Sequence, residues 1–409
     1  MPSLLGLEFH LTQRGNAQHT RYGWLRLTPA YSVHTVANLL KHYAMADDIV
    51  LDPFCGSGTT ALACAERGLA CISTDINPFL VWLARVKTRV YTNTDIEQFR
   101  HIAGEIIQHI ESIPLDVIWL PEIHQREKWW DPEILHLLGA LFYQINHLQH
   151  QYTEAVTDLL KIAFCRLVIL HSHASFNHQS MSFKKLRQPG LFARTIDDLG
   201  LTWQSSVNDI VCSLRTPIIT PPAIHLHDAR QLTTLIPHNS ISLVITSPPY
   251  PNRMSYIREL RPYMYWLGYL RNGRDAGELD WQAIGGTWGV ATSYIGRWQI
   301  PSDHGLAYPS FAEIIQRIAQ NSDLLARYVA KYFVDMQQHI AELYQITKKN
   351  ARILYIIGNS RFYDVLVPTE QILASILQTA GFERIETIPL RKRTSKKELY
   401  EYIVSATKV

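Results

Sequence analysis

Leu51-Asp52-Pro53-Phe54-Cys55-Gly56-Ser57-Gly58-Thr59-Thr60 decides the fold. The β-favouring residues Ile49, Val50 and Leu51 run into it. Ala61, Leu62, Cys64 and Ala65 leave it at helical spacing, and Gly68 is placed to stop the helix. The stretch therefore reads as a buried strand, a tight glycine turn and a helix N-terminus. Gly56 and Gly58 carry no Cβ, so the backbone can turn sharply and approach a ligand closely. The first N–H groups of the helix have no intrahelical acceptor and point at whatever sits above the turn. Gly56, Gly58 and Ala61 also satisfy the loose dinucleotide pattern G-x-G-x-x-G/A. Asp52, Pro53 and Phe54 make the stretch much more specific than that pattern.

The pattern of strand and helix continues outward. Ala70 to Thr74 is a second strand ending at Asp75, which follows Gly56 by 19 residues, close to the ~20 expected for an acidic residue that accepts ribose hydroxyls. Ala223 to Leu226 is a third strand, ending at His227-Asp228. Ser242 to Ile245 is a fourth and carries Ser247-Pro248-Pro249-Tyr250 at its C-terminal end, the edge where open α/β sheets bind ligands. Arg352 to Ile357 reads as a fifth strand, and Glu383 to Leu390 and Tyr400 to Ala406 as a closing pair.

Asp52 to Thr60 resembles motif I of the S-adenosylmethionine-dependent amino-methyltransferases that act on nucleic acid. Thr246-Ser247-Pro248-Pro249-Tyr250 is similar to their motif IV, the catalytic signature. The likeness covers about half of the chain. It implies an α/β fold, a Rossmann-like methyltransferase sheet of seven strands with the last antiparallel, interrupted by a mostly helical insertion. It implies S-adenosylmethionine held by Asp52, Pro53, Phe54, Gly56, Gly58 and Thr59, with Asp75 on the ribose and Asp228 reading the adenine amine. Thr28 and Pro29 sit where the family places a proline-containing turn beside the methionine end of the cofactor.

An exocyclic amine is a poor nucleophile, because its lone pair is delocalised into the base ring. Ser247 Oγ and the Pro248 carbonyl are suitable acceptors for its two N–H groups, which favours a pyramidal nitrogen. Pro248 and Pro249 stiffen the turn, and Tyr250 can stack on a base extruded from the duplex. The four residues Ser247, Pro248, Pro249 and Tyr250 are the expected catalytic set. Within the family, serine at the first position of motif IV goes with cytosine N4, and Asp or Asn with adenine N6. The expected enzyme is thus a site-specific DNA methyltransferase acting on cytosine N4 in double-stranded DNA. Adenine N6, and guanine N2 in RNA, remain alternatives. A nicotinamide oxidoreductase would use the glycine turn but leave motif IV unexplained. A cognate restriction endonuclease is a partner open to such an enzyme.

The expected organisation is a core part at residues 1–94, a helical insertion at 95–222, core again at 223–270, an insertion or loop region at 271–330, and core at 331–409. Either insertion could read the target sequence. In detail, Thr94 with Glu97 has capping-box spacing, residues 271–309 lack clear periodicity, and Ser310 opens a long helical stretch ending at Lys348-Lys349-Asn350.

The chain has 409 residues, 47% of them hydrophobic and 18% charged, an ordinary globular composition. Met1 to Leu11 shows no basic start followed by an apolar core, and the five cysteines include no C-x-x-C pair. A cytoplasmic protein without disulfide framework or zinc site is expected. No metal is expected either, since the pairs His171 with His173 and His225 with His227 supply only two ligands. A cytosine C5 methylase would need a nucleophilic cysteine, typically after proline, and no Pro-Cys dipeptide occurs. Net charge is only +3, so DNA contact requires local clusters. Arg253 and Arg258 after motif IV, and Arg391, Lys392 and Arg393 near the C-terminus, are the expected phosphate contacts.

Overall fold

The computed structural model describes residues 20–25, 27, 32–175, 182–183, 196–301, 306–393 and 398–409. In chain order, α1 (Val33–Tyr43) precedes β1 (Ile49–Asp52), α2 (Thr59–Ala65), β2 (Ala70–Asp75) and α3 (Pro78–Thr88). Then come α4 (Asn93–Gln108), α5 (Pro132–Leu148), α6 (Glu154–Leu170), the short ribbon β3 (Ala174–Ser175) with β4 (Ser182–Phe183), and α7 (Ile196–Ser213). β5 (Ala223–Leu226), β6 (Ile241–Thr246), α8 (Tyr256–Trp266), α9 (Gly273–Gln282), α10 (Val290–Arg297), α11 (Phe311–Ala319) and α12 (Asp323–Ile346) follow. The chain closes with β7 (Thr347–Gly358), the hairpin β8 (Ser360–Phe362) and β9 (Val365–Val367), α13 (Thr369–Thr379), β10 (Phe382–Lys392) and β11 (Tyr400–Lys408).

Seven strands form one sheet in the order β10-β11-β7-β6-β1-β2-β5. β5, β2, β1, β6 and β7 are parallel neighbours, and β11 runs antiparallel to both β7 and β10. The expected α/β sheet with an antiparallel last strand is what the chain forms. From β1 the chain steps outward through β2 to β5, then returns to β6 and steps the other way. The order therefore reverses between β1 and β6, where such sheets bind ligands beyond their carboxyl ends.

The central strands are apolar on both sides because helices cover both faces. Val50, Leu243, Ile245, Leu354 and Ile356 alternate onto one face with Val36, Leu39 and Leu40 of α1 and Ala61 and Cys64 of α2. Leu51, Val244, Ile353, Tyr355 and Ile357 face the other side, against α12 and α13. A separate core joins α3 and α8 to α4–α7. Three of its buried tryptophans find acceptors: Trp24 Nε1 donates to Ser213 Oγ at 2.7 Å, Trp130 Nε1 to the Val168 carbonyl at 2.8 Å and Trp203 Nε1 to the Ala103 carbonyl at 2.8 Å.

Several local expectations need correction. The capping box of α4 is Thr92 with Asp95, both reciprocal bonds present, two residues earlier than Thr94 with Glu97. A boundary at 94/95 would thus cut the first turn of α4. Residues 271–309 are not one loop, since they contain α9 and α10. Asn272 caps α9 by accepting from the N–H groups of Arg274 and Asp275, and Gly277 lets α10 pack closely. The long helical stretch is two helices, and α12 crosses the proposed boundary at 330/331 without a break. Lys348, Lys349 and Asn350 belong to β7, where Asn350 does take a left-handed conformation (φ 64°), at an irregularity in the pairing with β6.

Candidate active site

The glycine turn leaves β1 tied to β2. Cys55 N–H donates to the Thr74 carbonyl at 2.8 Å, Thr74 Oγ1 to the Pro53 carbonyl at 3.1 Å, and Gly56 N–H to Asp75 Oδ2 at 2.8 Å. Asp75 Oδ1 accepts from Asn77 N–H at 2.9 Å. Each carboxylate oxygen keeps a second lone pair for an incoming hydroxyl. Burial pushes the Asp75 carboxyl up to about 6, opposed by these backbone donors. Gly56 is left-handed (φ 51°), and a Cβ there would meet nothing nearer than 3.8 Å, so the space above the turn is open. Gly58 is left-handed too (φ 78°), and a Cβ there would lie 2.8 Å from Ala84 Cβ, so glycine also lets α2 and α3 pack closely. Thr59 opens α2, its hydroxyl 3.2 Å from Ser57 Oγ. Phe54 is half-buried, edge-on to His339 with centroids 4.8 Å apart. Burial holds His339 neutral, down at about 4. These residues fit an adenosine-type cofactor: an open space, a carboxylate at the end of β2 and an aromatic wall.

Asp52 does a different job from the one expected. It is fully buried and accepts from Thr246 Oγ1 at 2.6 Å and from Phe54 N–H at 3.2 Å. It thereby pins the last residue of β6 to the start of the glycine turn. Thr60 Oγ1 adds a second bridge, to the Ile245 carbonyl at 3.3 Å. In the sequence Thr246 reads only as the residue that heads the motif IV stretch, and nothing there points to its bond with Asp52.

Motif IV is braced from α12. Tyr332 Oη donates to the Pro249 carbonyl at 2.8 Å, and Tyr328 Oη accepts from Arg253 N–H at 3.2 Å. Among the described residues nothing donates to the Pro248 carbonyl. Tyr250 Oη donates to Glu401 Oε1 at 2.7 Å. The Tyr250 ring lies on Gly358, where a Cβ would meet it at 2.8 Å, and Arg393 sits 5.2 Å from its centroid. The ring is thus packed against the end of β7.

The remaining expected residues separate. Asp228 lies just beyond β5, but Arg230 engages both its oxygens, at 3.0 Å and 2.7 Å, and also contacts Asp335. Burial raises the Asp228 carboxyl, and the Arg230 hydrogen bonds and charge bring it below its ordinary value. Arg391 pairs with Glu401 at 2.7 Å, Lys392 is exposed beside Tyr400, and Arg393 turns to Tyr250, so the basic run does not present one face. Arg258 is half-buried on α8 and Arg253 is exposed. Thr28 and Pro29 lie outside the described residues. His171 meets Thr202 Oγ1 at 2.6 Å, and His173 meets Asp131 at 3.2 Å. Sequence reading also missed Lys87, buried on α3, which donates to the Ser57 carbonyl at 3.0 Å and so holds the glycine turn from beneath.

The family model described as DNA methylase, of the N6 and N4 type, matches residues 14–85, which include the whole glycine turn and Asp75. The Type II methyltransferase M.BsoBI of Geobacillus stearothermophilus is 22% identical, over 96% of this chain and 85% of its own length. The Type II methyltransferase M.AvaI of Nostoc sp. is 22% identical, over 94% of this chain and 84% of its own. These likenesses support the S-adenosylmethionine-dependent amino-methyltransferase family for this chain. A third relative, the Type II methyltransferase M.MjaII of Methanocaldococcus jannaschii, is 42% identical over 72 residues, 18% of this chain and 13% of its own length. No described helix of the chain is long and apolar enough to cross a membrane.

Proposed function

We propose that this methyltransferase modifies double-stranded DNA, placing a methyl group on the exocyclic N4 of a cytosine turned out of the helix. The observation that carries the reading is the 2.6 Å hydrogen bond from Thr246 to Asp52. It joins the ends of β1 and β6 at the reversal of strand order, so the glycine turn and Ser247-Pro248-Pro249-Tyr250 share one edge. S-adenosylmethionine, when bound, supplies a methyl group on a sulfonium that already carries the leaving-group charge. The chain's own work is then chiefly alignment. Asp75 accepts from ribose hydroxyls while Gly56 leaves room above β1. The Pro248 carbonyl and Ser247 Oγ accept from the two N–H groups of the target amine. Tyr328 and Tyr332 keep the proline turn from drifting. Tyr250 gives the extruded base an aromatic surface, its hydroxyl anchored by Glu401.

The serine at the head of motif IV favours cytosine N4 over adenine N6. The DNA methylase model and the Type II relatives favour DNA over RNA as substrate. Incubation with labelled S-adenosylmethionine and DNA, RNA or neither tests the reading. Label in DNA alone supports it, and label in RNA alone replaces it with the guanine-N2 alternative.

A further inference from the structure

Beside motif IV lies an open pocket of about 310 Å³. Its lining includes Arg253, Arg361 and Arg393, and no carboxylate. None of the three guanidinium groups forms an ion pair among the described residues. Arg361 donates one bond to the Asp364 carbonyl and Arg393 one to the Asn359 carbonyl. Each guanidinium has five N–H donors, so most of this donor capacity remains. Three uncompensated cations around one hollow repel each other unless an anion joins them.

Two further observations point to a ligand. Ser360, only 3% exposed, also lines the pocket, and its Oγ is buried with no hydrogen-bond partner. A buried polar atom without a partner is costly and calls for an explanation. Arg253 (φ 61°) and Tyr363 (φ 52°), both at the pocket, are held in the left-handed region that non-glycine residues avoid. Arg253 is fixed there by its N–H bond to Tyr328, the helix neighbour of the tyrosine that braces Pro249. Tyr363 sits at the tip of the β8–β9 hairpin with 52% of its surface exposed.

We propose that this pocket grips a phosphodiester of the DNA strand next to the methylated nucleotide, with the β8–β9 hairpin as the clamp. Arg361 and Arg393 take the phosphate oxygens, Ser360 donates to the same group, and Tyr363 stacks on the neighbouring nucleotide. The pocket's open side lets a polymer pass through, and an exposed aromatic beside guanidinium groups is the pairing that single nucleic-acid strands use. Arg393, which also lies over the Tyr250 ring, links the strand grip to the base-facing residue. The proposal rests on the DNA reading above.

The test measures binding of a fluorescein-labelled DNA duplex over a range of salt concentrations, for wild type, Arg361→Ala, Arg361→Lys and Tyr363→Ala. S-adenosylmethionine affinity is measured alongside as the folding control. Arg361→Ala should weaken DNA binding about 3- to 10-fold for any sequence and reduce the salt slope by about 0.9, the value of one phosphate contact. Arg361→Lys should keep the slope. Tyr363→Ala should weaken binding with the slope unchanged. A wild-type slope and affinity in Arg361→Ala, in a protein that still methylates DNA, overturns the proposal and leaves the DNA reading standing. A wild-type protein that transfers no methyl group to DNA overturns the reading beneath it. Excess inorganic phosphate that displaces DNA from wild type and Arg361→Ala equally also overturns the proposal.

Discussion

Asp75, Lys87 and Tyr250 each turn burial into a measurable property. Burial raises Asp75 to about 6, while ribose hydroxyls need the ionised form as acceptor. Below pH 6 the carboxylate must lose its proton before it can accept. S-adenosylmethionine affinity should therefore fall as pH drops from 7 to 5, approaching tenfold per unit below the midpoint. Asp75→Asn should bind more weakly and lose that pH dependence. Calorimetric titration at several pH values measures both, and a wild-type affinity that is flat across the window contradicts the ribose role. Lys87 carries the opposite sign for stability. Burial lowers it from 10.5 to about 7, so between those values the unfolded chain holds a proton that the folded chain has released. Stability contributed by this residue rises as pH climbs from 7 to 10.5 and is at its lowest below 7. Urea midpoints should climb less steeply with pH in Lys87→Met than in wild type. Tyr250→Phe removes one hydrogen bond to Glu401, which keeps Arg391 as a partner. The variant should fold, lose ~1.5–3 kcal/mol of anchoring and keep part of its turnover. Tyr250→Ala should bind the cofactor and lose methylation.

At the scale of elements, α2 and α3 depend on Gly58 for their close approach. Gly58→Ala adds left-handed strain of ~1–2 kcal/mol to overpacking of ~1–3 kcal/mol, because its Cβ would lie 2.8 Å from Ala84 Cβ. Gly268→Ala has the same φ of 78° but open space around it, so only the first cost applies. Thermal unfolding of the two variants should separate them by the packing term. The elements legible in the sequence were those where local signals agree. β1, the glycine turn and α2 combine an apolar run, glycines at the turn and helical spacing. α13 is closed by Gly381, which is left-handed at φ 102°. α9 was illegible because Gly273 and Gly277 argue against a helix. Its cap at Asn272 and the fit of Gly277 against Val290 are tertiary facts. Lys348 to Asn350 misled for a related reason: a basic turn with a left-handed asparagine fits a helix end and a strand irregularity equally well.

At the scale of the molecule, the sequence disclosed both ends of the site but not their joint. Motif I and motif IV lie some two hundred residues apart, and only the strand order makes β1 and β6 neighbours. The Thr246–Asp52 bond, the Glu401 anchor and the two tyrosines of α12 depend on that topology, so no local pattern could announce them. The same holds for the basic residues. A run such as Arg391-Lys392-Arg393 resembles a single patch in one dimension, while alternation along β10 and the pairing with Glu401 give the three residues separate roles. The central claim is that this shared edge methylates cytosine N4 in DNA. DNA from cells producing the wild-type protein or Tyr250→Ala, sequenced with N4-methylcytosine and N6-methyladenine scored separately, tests it most directly. N4-methylcytosine at one recurring sequence, present with the wild type and gone with Tyr250→Ala, is the result expected. N6-methyladenine instead, or modification that persists in the variant, would contradict it.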